Sequence, residues 1–110
     1  MRPRVIICST CAAPGADPQG AGFADALQGL VPKGVVVETT ECMNLCNAPM
    51  SMALRGEGRD VYLFSGVDPE TDLDNAAALA RIYSEAEGGT ITDARPAGRL
   101  RHCLVGRVPK

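Results

Sequence analysis

Five cysteines punctuate this chain of 110 residues, and four of them come in two close pairs. Cys8 and Cys11 stand in CSTC, and Cys42 and Cys46 in CMNLC, which gives the spacing C-x2-C-x30-C-x3-C. Thiols so arranged can form disulfides, exchange with another thiol, or ligate a soft metal ion. Four thiolates suit a tetrahedral zinc ion, or a [2Fe–2S] cluster in which each iron takes two of them. Spacing alone leaves both open. A single cysteine is most simply a small buried hydrophobe, but two close pairs are a poor match to that role.

The other candidates for chemistry are weaker. Cys8-Ser-Thr-Cys11 also fits a thiol–disulfide oxidoreductase, whose first cysteine usually opens a helix; here AAPGADP follows, a loop sequence. His102, the one histidine, sits among arginines and reads as solvated, and Cys103 reads as packing beneath the C-terminal tail. Met43, Met50 and Met52 read as core and cover. No Ser/His/Asp set, paired catalytic carboxylates or phosphate loop is legible, so the expectation is an electron carrier or metal-site protein and not an enzyme.

The elements that must position the cysteines follow from hydrophobic period and turn chemistry. RVIIC (4–8) reads as a short buried strand, and the Pro- and Gly-rich stretch 9–22 as a loop. Residues 23–30 place Phe23, Leu27 and Leu30 on one helical face, ended by Pro32 and Gly34. VVVETT (35–40) is a second strand. MSMALRG (50–56) alternates with Met50, Met52 and Leu54 on one face, turns through GEGRD, and pairs with VYLFSGV (61–67) as a hairpin. Asp68 reads as the N-cap of a second helix, with Pro69 at its first position. Leu73, Ala76, Ala77, Ala80 and Tyr83 form that helix's buried stripe, and Gly88-Gly89 stops it. The acidic run Asp68–Asp74 is first a capping feature and second a docking surface. A short strand is possible near LRHCLVG (100–106).

A strand, a helix and a second strand normally form a right-handed parallel unit. Both cysteine pairs then fall at the carboxyl ends of the first two strands, on one sheet edge, where open α/β folds place ligands. The fold class expected is α/β in the order β-α-β-β-β-α, with a parallel first pair of strands, an antiparallel third and fourth, and a short basic tail.

Composition narrows the class. The apolar runs are far shorter than the roughly 20 residues needed to span a bilayer. The N-terminus is a poor match to a secretory signal, so a cytoplasmic protein is expected, where clustered cysteines more often bind metal than form stable disulfides. Residues 5–94 hold all thirteen acidic residues against four basic ones; the two ends hold seven basic residues and no acid. An acidic body repels phosphate, and tryptophan is absent, so nucleic acid is a poor partner. The division expected is a domain over 1–94 and a basic tail over 95–110 that packs on the body or on a dimer mate.

CMNLCNAPMSMAL, the hairpin after it, and VDPETD with its helix resemble the thioredoxin-like [2Fe–2S] ferredoxins, in which a C-x3-C loop leads through a small residue and proline into the third strand. They also resemble a group of small bacterial proteins described as predicted metal-binding. The likeness covers nearly the whole chain, including GRLRHCLVGRVP. It implies a thioredoxin-like iron–sulfur domain, a [2Fe–2S] cluster on Cys8, Cys42 and Cys46 with Cys11 as fourth ligand, and electron transfer to a redox partner protein. It also implies a homodimer. The departure is Cys11, since many relatives carry that ligand much further along the first loop. The alternative is a zinc or other metal-binding protein serving metal trafficking or cofactor assembly.

Overall fold

The computed structural model describes residues 3–8, 20–40, 50–68 and 70–109. In chain order they form β1 (Arg4–Cys8), α1 (Gly20–Gln28), β2 (Val36–Thr40), β3 (Ser51–Arg55), β4 (Val61–Ser65) and α2 (Leu73–Glu85). Two 3₁₀ segments, Glu87–Gly89 and Arg95–His102, then lead to β5 (Leu104–Val108). The result is a small mixed α/β fold on one five-stranded sheet, in the order β2-β1-β3-β4-β5. β1 and β2 are parallel, β3 is antiparallel to β1, and β3, β4 and β5 run as an antiparallel meander.

One face of the sheet carries the core. Val5 and Ile7 of β1, Met52 and Leu54 of β3, and Tyr62 and Phe64 of β4 pack against Phe23 and Leu27 of α1 and Leu79, Ala80 and Tyr83 of α2. Full burial of a leucine such as Leu27 or Leu79 contributes roughly 1.5–3 kcal/mol. The alternation of Met50, Met52 and Leu54 is as expected, yet Ser51 and Ala53 between them are buried too. Both faces of β3 are therefore shielded from water, not only the one beneath the helices.

Helix boundaries differ from the sequence expectation. α1 ends at Gln28, and Leu30, expected on the buried face, is 50% exposed. Leu27 O accepts from both Leu30 N and Val31 N, so the chain leaves the helix before Leu30 can face the core. Gln28 is held by the edge strand: its Nε2 donates to Val35 O at 3.0 Å and its Oε1 accepts from Val37 N at 2.9 Å.

α2 starts at Leu73, four residues after the expected first position, and Asp72 occupies the cap position in place of Asp68. Asp68 instead accepts from Glu70 N through Oδ1 (2.8 Å), which makes a local turn ahead of the helix. Pro69 lies outside the described residues. Of the expected stripe, Ala76, Ala80 and Tyr83 are buried, Leu73 and Ala77 are half-buried, and Leu79, which was not anticipated, is fully buried. The helix closes at Glu85, and Gly88 and Gly89 follow at φ 64° and 72°. A Cβ on Gly89 would lie 2.7 Å from Arg59 Cβ and 2.9 Å from Tyr83 Cε1. Glycine is required there by both backbone and space.

The C-terminal segment completes the sheet. Ala97 and Leu100 are fully buried in the core, and β5 begins at Leu104, later than the strand expected near 100–106. Its arginines reach acids of the same chain. Arg99 pairs with Asp72 and Arg107 with Asp60, and both carboxylates are fully buried.

Candidate metal centre

The edge formed by the carboxyl ends of β1 and β2 is where the first cysteine lies. Cys8 is the last residue of β1 and is paired in register with Thr40, the last residue of β2. The pairing of β1 with β3 runs Arg4 with Arg55 through Ile7 with Met52; one step further sets Ser51 opposite Cys8. Thr40, Cys8 and Ser51 thus form a row across three neighbouring strands.

Alternation along β1 decides which way this row faces. Val5 and Ile7 point to the helices, so Arg4, Ile6 and Cys8 occupy the other face. Cys8, Ser51 and Ala53 are buried yet stand outside the hydrophobic cluster beneath the helices. Cys8 is thus buried on the sheet face away from the helices.

Cys11, Cys42 and Cys46 lie outside the described residues, so the structure places their points of attachment. Segment 9–19 leaves the sheet at Cys8, and segment 41–49 leaves at Thr40 and re-enters at Met50 beside β3. Cys42 is two residues past Thr40 and Cys11 three past Cys8. β1 stands between β2 and β3, so segment 41–49 joins the two strands that flank Cys8. The donor chemistry of four thiols is that of zinc or a [2Fe–2S] cluster. Among the described residues no group of three or more His, Cys, Asp or Glu is placed to hold a metal ion.

Cys103 lies at the far end of the same row, reached through Ser51 and Ser65. Its carbonyl accepts from Ser65 N at 3.0 Å, beside β4 and three strand spacings from β1, or roughly 14 Å from Cys8. Its side chain packs against the helix-covered core, with Sγ 3.8 Å from Arg99 O. His102 is exposed, with Nε2 3.2 Å from Arg101 Nε.

Three buried polar residues were not legible as such. Ser51 looked like an outward position on an alternating strand. Asp60 looked like part of a turn, yet its Oδ2 accepts from Thr90 Oγ1 (2.9 Å) and Arg107 Nε (3.1 Å). Its carbonyl accepts from Tyr83 Oη at 2.6 Å, and burial pushes the Tyr83 phenol up to about 12. Asp72 accepts from Asp68 N at 2.7 Å, from Asn75 Nδ2 at 3.0 Å and from the Arg99 guanidinium. Burial alone would raise its carboxyl, but these donors, Arg99 foremost, hold it below the usual carboxylate value. The Asp60 contacts tie α2 and β5 to the start of β4, at the opposite end of the sheet from Cys8, and the Asp72 contacts tie the start of α2 to the segment Arg95–His102. No helix among the described residues is long and apolar enough to cross a membrane.

A small α/β domain with a cysteine-bearing sheet edge is thus the class that fold and site define. The chain belongs to the family described as Protein of unknown function (DUF1636), which it matches over residues 5–110. No curated protein and no solved structure matches it.

Proposed function

We propose that this chain is a ferredoxin-like electron carrier of thioredoxin-like architecture, holding one [2Fe–2S] cluster on Cys8, Cys11, Cys42 and Cys46. One observation carries the reading. The parallel register of Cys8 with Thr40 brings the origins of both cysteine-bearing segments to neighbouring points on one edge. Cys8 also lies on the face away from the helix-covered cluster, at the end of the strand from which the first cysteine-bearing segment departs. The element order, with β1 parallel to β2 and β3 antiparallel to β4, supports the thioredoxin-like assignment.

When bound, the cluster supplies one-electron redox chemistry. The chain's own residues set its surroundings. Cys8 would anchor it to the most central parallel strand, and Ser51, fully buried beside Cys8, offers a hydroxyl within the same row. Hydrogen bonds to ligand sulfurs are a main means of tuning such centres. The cytoplasm and a redox partner protein complete the proposal. Visible absorption and electron paramagnetic resonance of anaerobically purified protein test it: a red-brown protein that bleaches on reduction and gains a spin signal supports it. A colourless protein containing zinc replaces it with the metal-trafficking reading.

A further inference from the structure

We propose that the sheet face opposite the helices is a docking surface for an acidic segment of a partner protein, with a partner carboxylate seated between Arg4 and Arg55. The described helices pack on the face of Val5, Ile7, Met52 and Leu54, and among the described residues no element covers the other face. Alternation decides what that face presents. Ile6 of β1, Ala53 of β3 and Leu63 of β4 form one row across three neighbouring strands. Ile6 and Leu63 are half-buried, and the small Ala53 is sunk between them. A sheet face left to water is normally polar at such positions. Here the row is apolar, and the next row is charged.

That next row carries the selective feature. Arg4 and Arg55 are direct partners in the register of β1 with β3, and both are exposed. Side chains so paired have Cβ atoms about 4.5–5.5 Å apart, and like charges directly opposite destabilise a sheet. Relief from within the chain is partial. Glu38, the one acid on this face among the described residues, reaches Arg4 at 3.5 Å. Among the described residues no carboxylate is paired with Arg55. Two adjacent guanidiniums can share one carboxylate through charge-assisted hydrogen bonds. The balancing charge is therefore expected from outside, with apolar side chains beside it to cover Ile6 and Leu63.

Charge also selects among occupants. A second copy meeting this face about a two-fold axis would bring the same patch against itself, arginine towards arginine. Nucleic acid and anionic lipid surfaces are extended arrays of negative charge, and residues 5–94, with thirteen acids against four bases, repel them. A short acidic and apolar segment meets the two arginines without meeting the rest of that charge. The face also runs to Cys8, four residues and roughly 13 Å from Arg4 along β1. A partner seated here borders the candidate metal centre. The proposal does not depend on what the cysteines hold.

Nuclear magnetic resonance of the full labelled chain tests it, with a soluble helical peptide bearing glutamate and leucine on one face as the probe. The peptide should shift the Ile6 and Leu63 signals saturably, and less so at high salt. Arg4→Gln with Arg55→Gln should weaken binding by roughly tenfold or more. Arg4→Lys with Arg55→Lys, which keeps the charge, should weaken it less. Arg81→Gln, at an exposed position of α2, should leave it unchanged. Because the pair repels in the free chain, Arg55→Gln should not lower the melting temperature; a lowered one would make Arg55 a structural residue and overturn the proposal. Equal binding of a peptide with lysine for glutamate, shifts confined to other surfaces, or no binding also overturns it. So does binding of phosphatidylglycerol vesicles that excludes the peptide, which assigns the face to lipid. Concentration-dependent shifts at Ile6 and Leu63 without peptide would assign it to a second copy instead.

Discussion

Cys8 and Thr40 pair in register as the last residues of two parallel strands, and this one relationship organises the candidate metal centre. It fixes the origins of the segments that carry Cys11, Cys42 and Cys46 on a single edge. The helices lie over the other face from Cys8, so the thiol is separated from the core that stabilises the domain. Ligand changes at this edge can therefore be made without opening the main core.

The first prediction concerns the ligands. Cys8→Ser, Cys42→Ser and Cys46→Ser each replace a soft thiolate with a harder ligand and should abolish or destabilise the cluster. Cys11→Ser should do the same. Cys103→Ser should leave the visible spectrum intact, because Cys103 lies three strands away against the core. Loss of the spectrum in Cys103→Ser with retention in Cys11→Ser would reassign the fourth ligand.

Ser51→Ala tests the row from the other side. The variant should keep its iron, and its midpoint potential should fall, because a hydroxyl donor near a ligand sulfur stabilises the more negative reduced state. Protein-film voltammetry reads this directly. An unchanged potential would leave Ser51 as a buried strand residue and nothing more.

The sequence made the strand edge legible because β-branched runs and turn residues mark short strands well. RVIIC and VVVETT ended where expected, and the parallel pairing followed from the helix between them. The start of α2 was misread because Asp68-Pro69-Glu70 is a strong local cap signal, whereas Asp72 is chosen by a partner 27 residues away, Arg99. Ser51 and Asp60 were misread for the same reason. Their burial depends on neighbours brought by the sheet order, and no local period encodes that. The charge split between body and ends was visible, but which acid met which arginine was not.

Arg99→Met isolates the Asp72 pair. It leaves a fully buried carboxylate without its guanidinium, at a cost of about 1–3 kcal/mol near neutral pH. In the wild type the Asp72 carboxyl titrates below its unfolded value, so its contribution is full above that value and is lost as pH falls through the lower folded one. In the variant, burial is opposed by fewer donors and the carboxyl rises. The penalty should then shrink as the pH is lowered and Asp72 protonates. Denaturant melts at pH 7 and pH 4 check the sign, and an equal loss at both would contradict it.

Gly89→Ala should destabilise the domain by about 1–3 kcal/mol. The residue sits at φ 72°, and the new methyl would collide with Arg59 and Tyr83. That collision displaces the guanidinium whose Nη1 donates to Tyr83 O at 2.8 Å at the end of α2. Gly58→Ala, at φ 73° with open space around it, should cost less. Thermal melts of the two variants give the comparison, and equal losses would show that backbone conformation alone is responsible.

Iron and acid-labile sulfide, counted per chain in protein expressed with ample iron and purified without oxygen, test the central claim most directly. The proposed cluster on Cys8, Cys11, Cys42 and Cys46 should give about two iron and two sulfide per chain, with a spectrum that bleaches on reduction. One zinc per chain with no sulfide would contradict the electron-carrier account and leave a metal-binding protein built on the same edge.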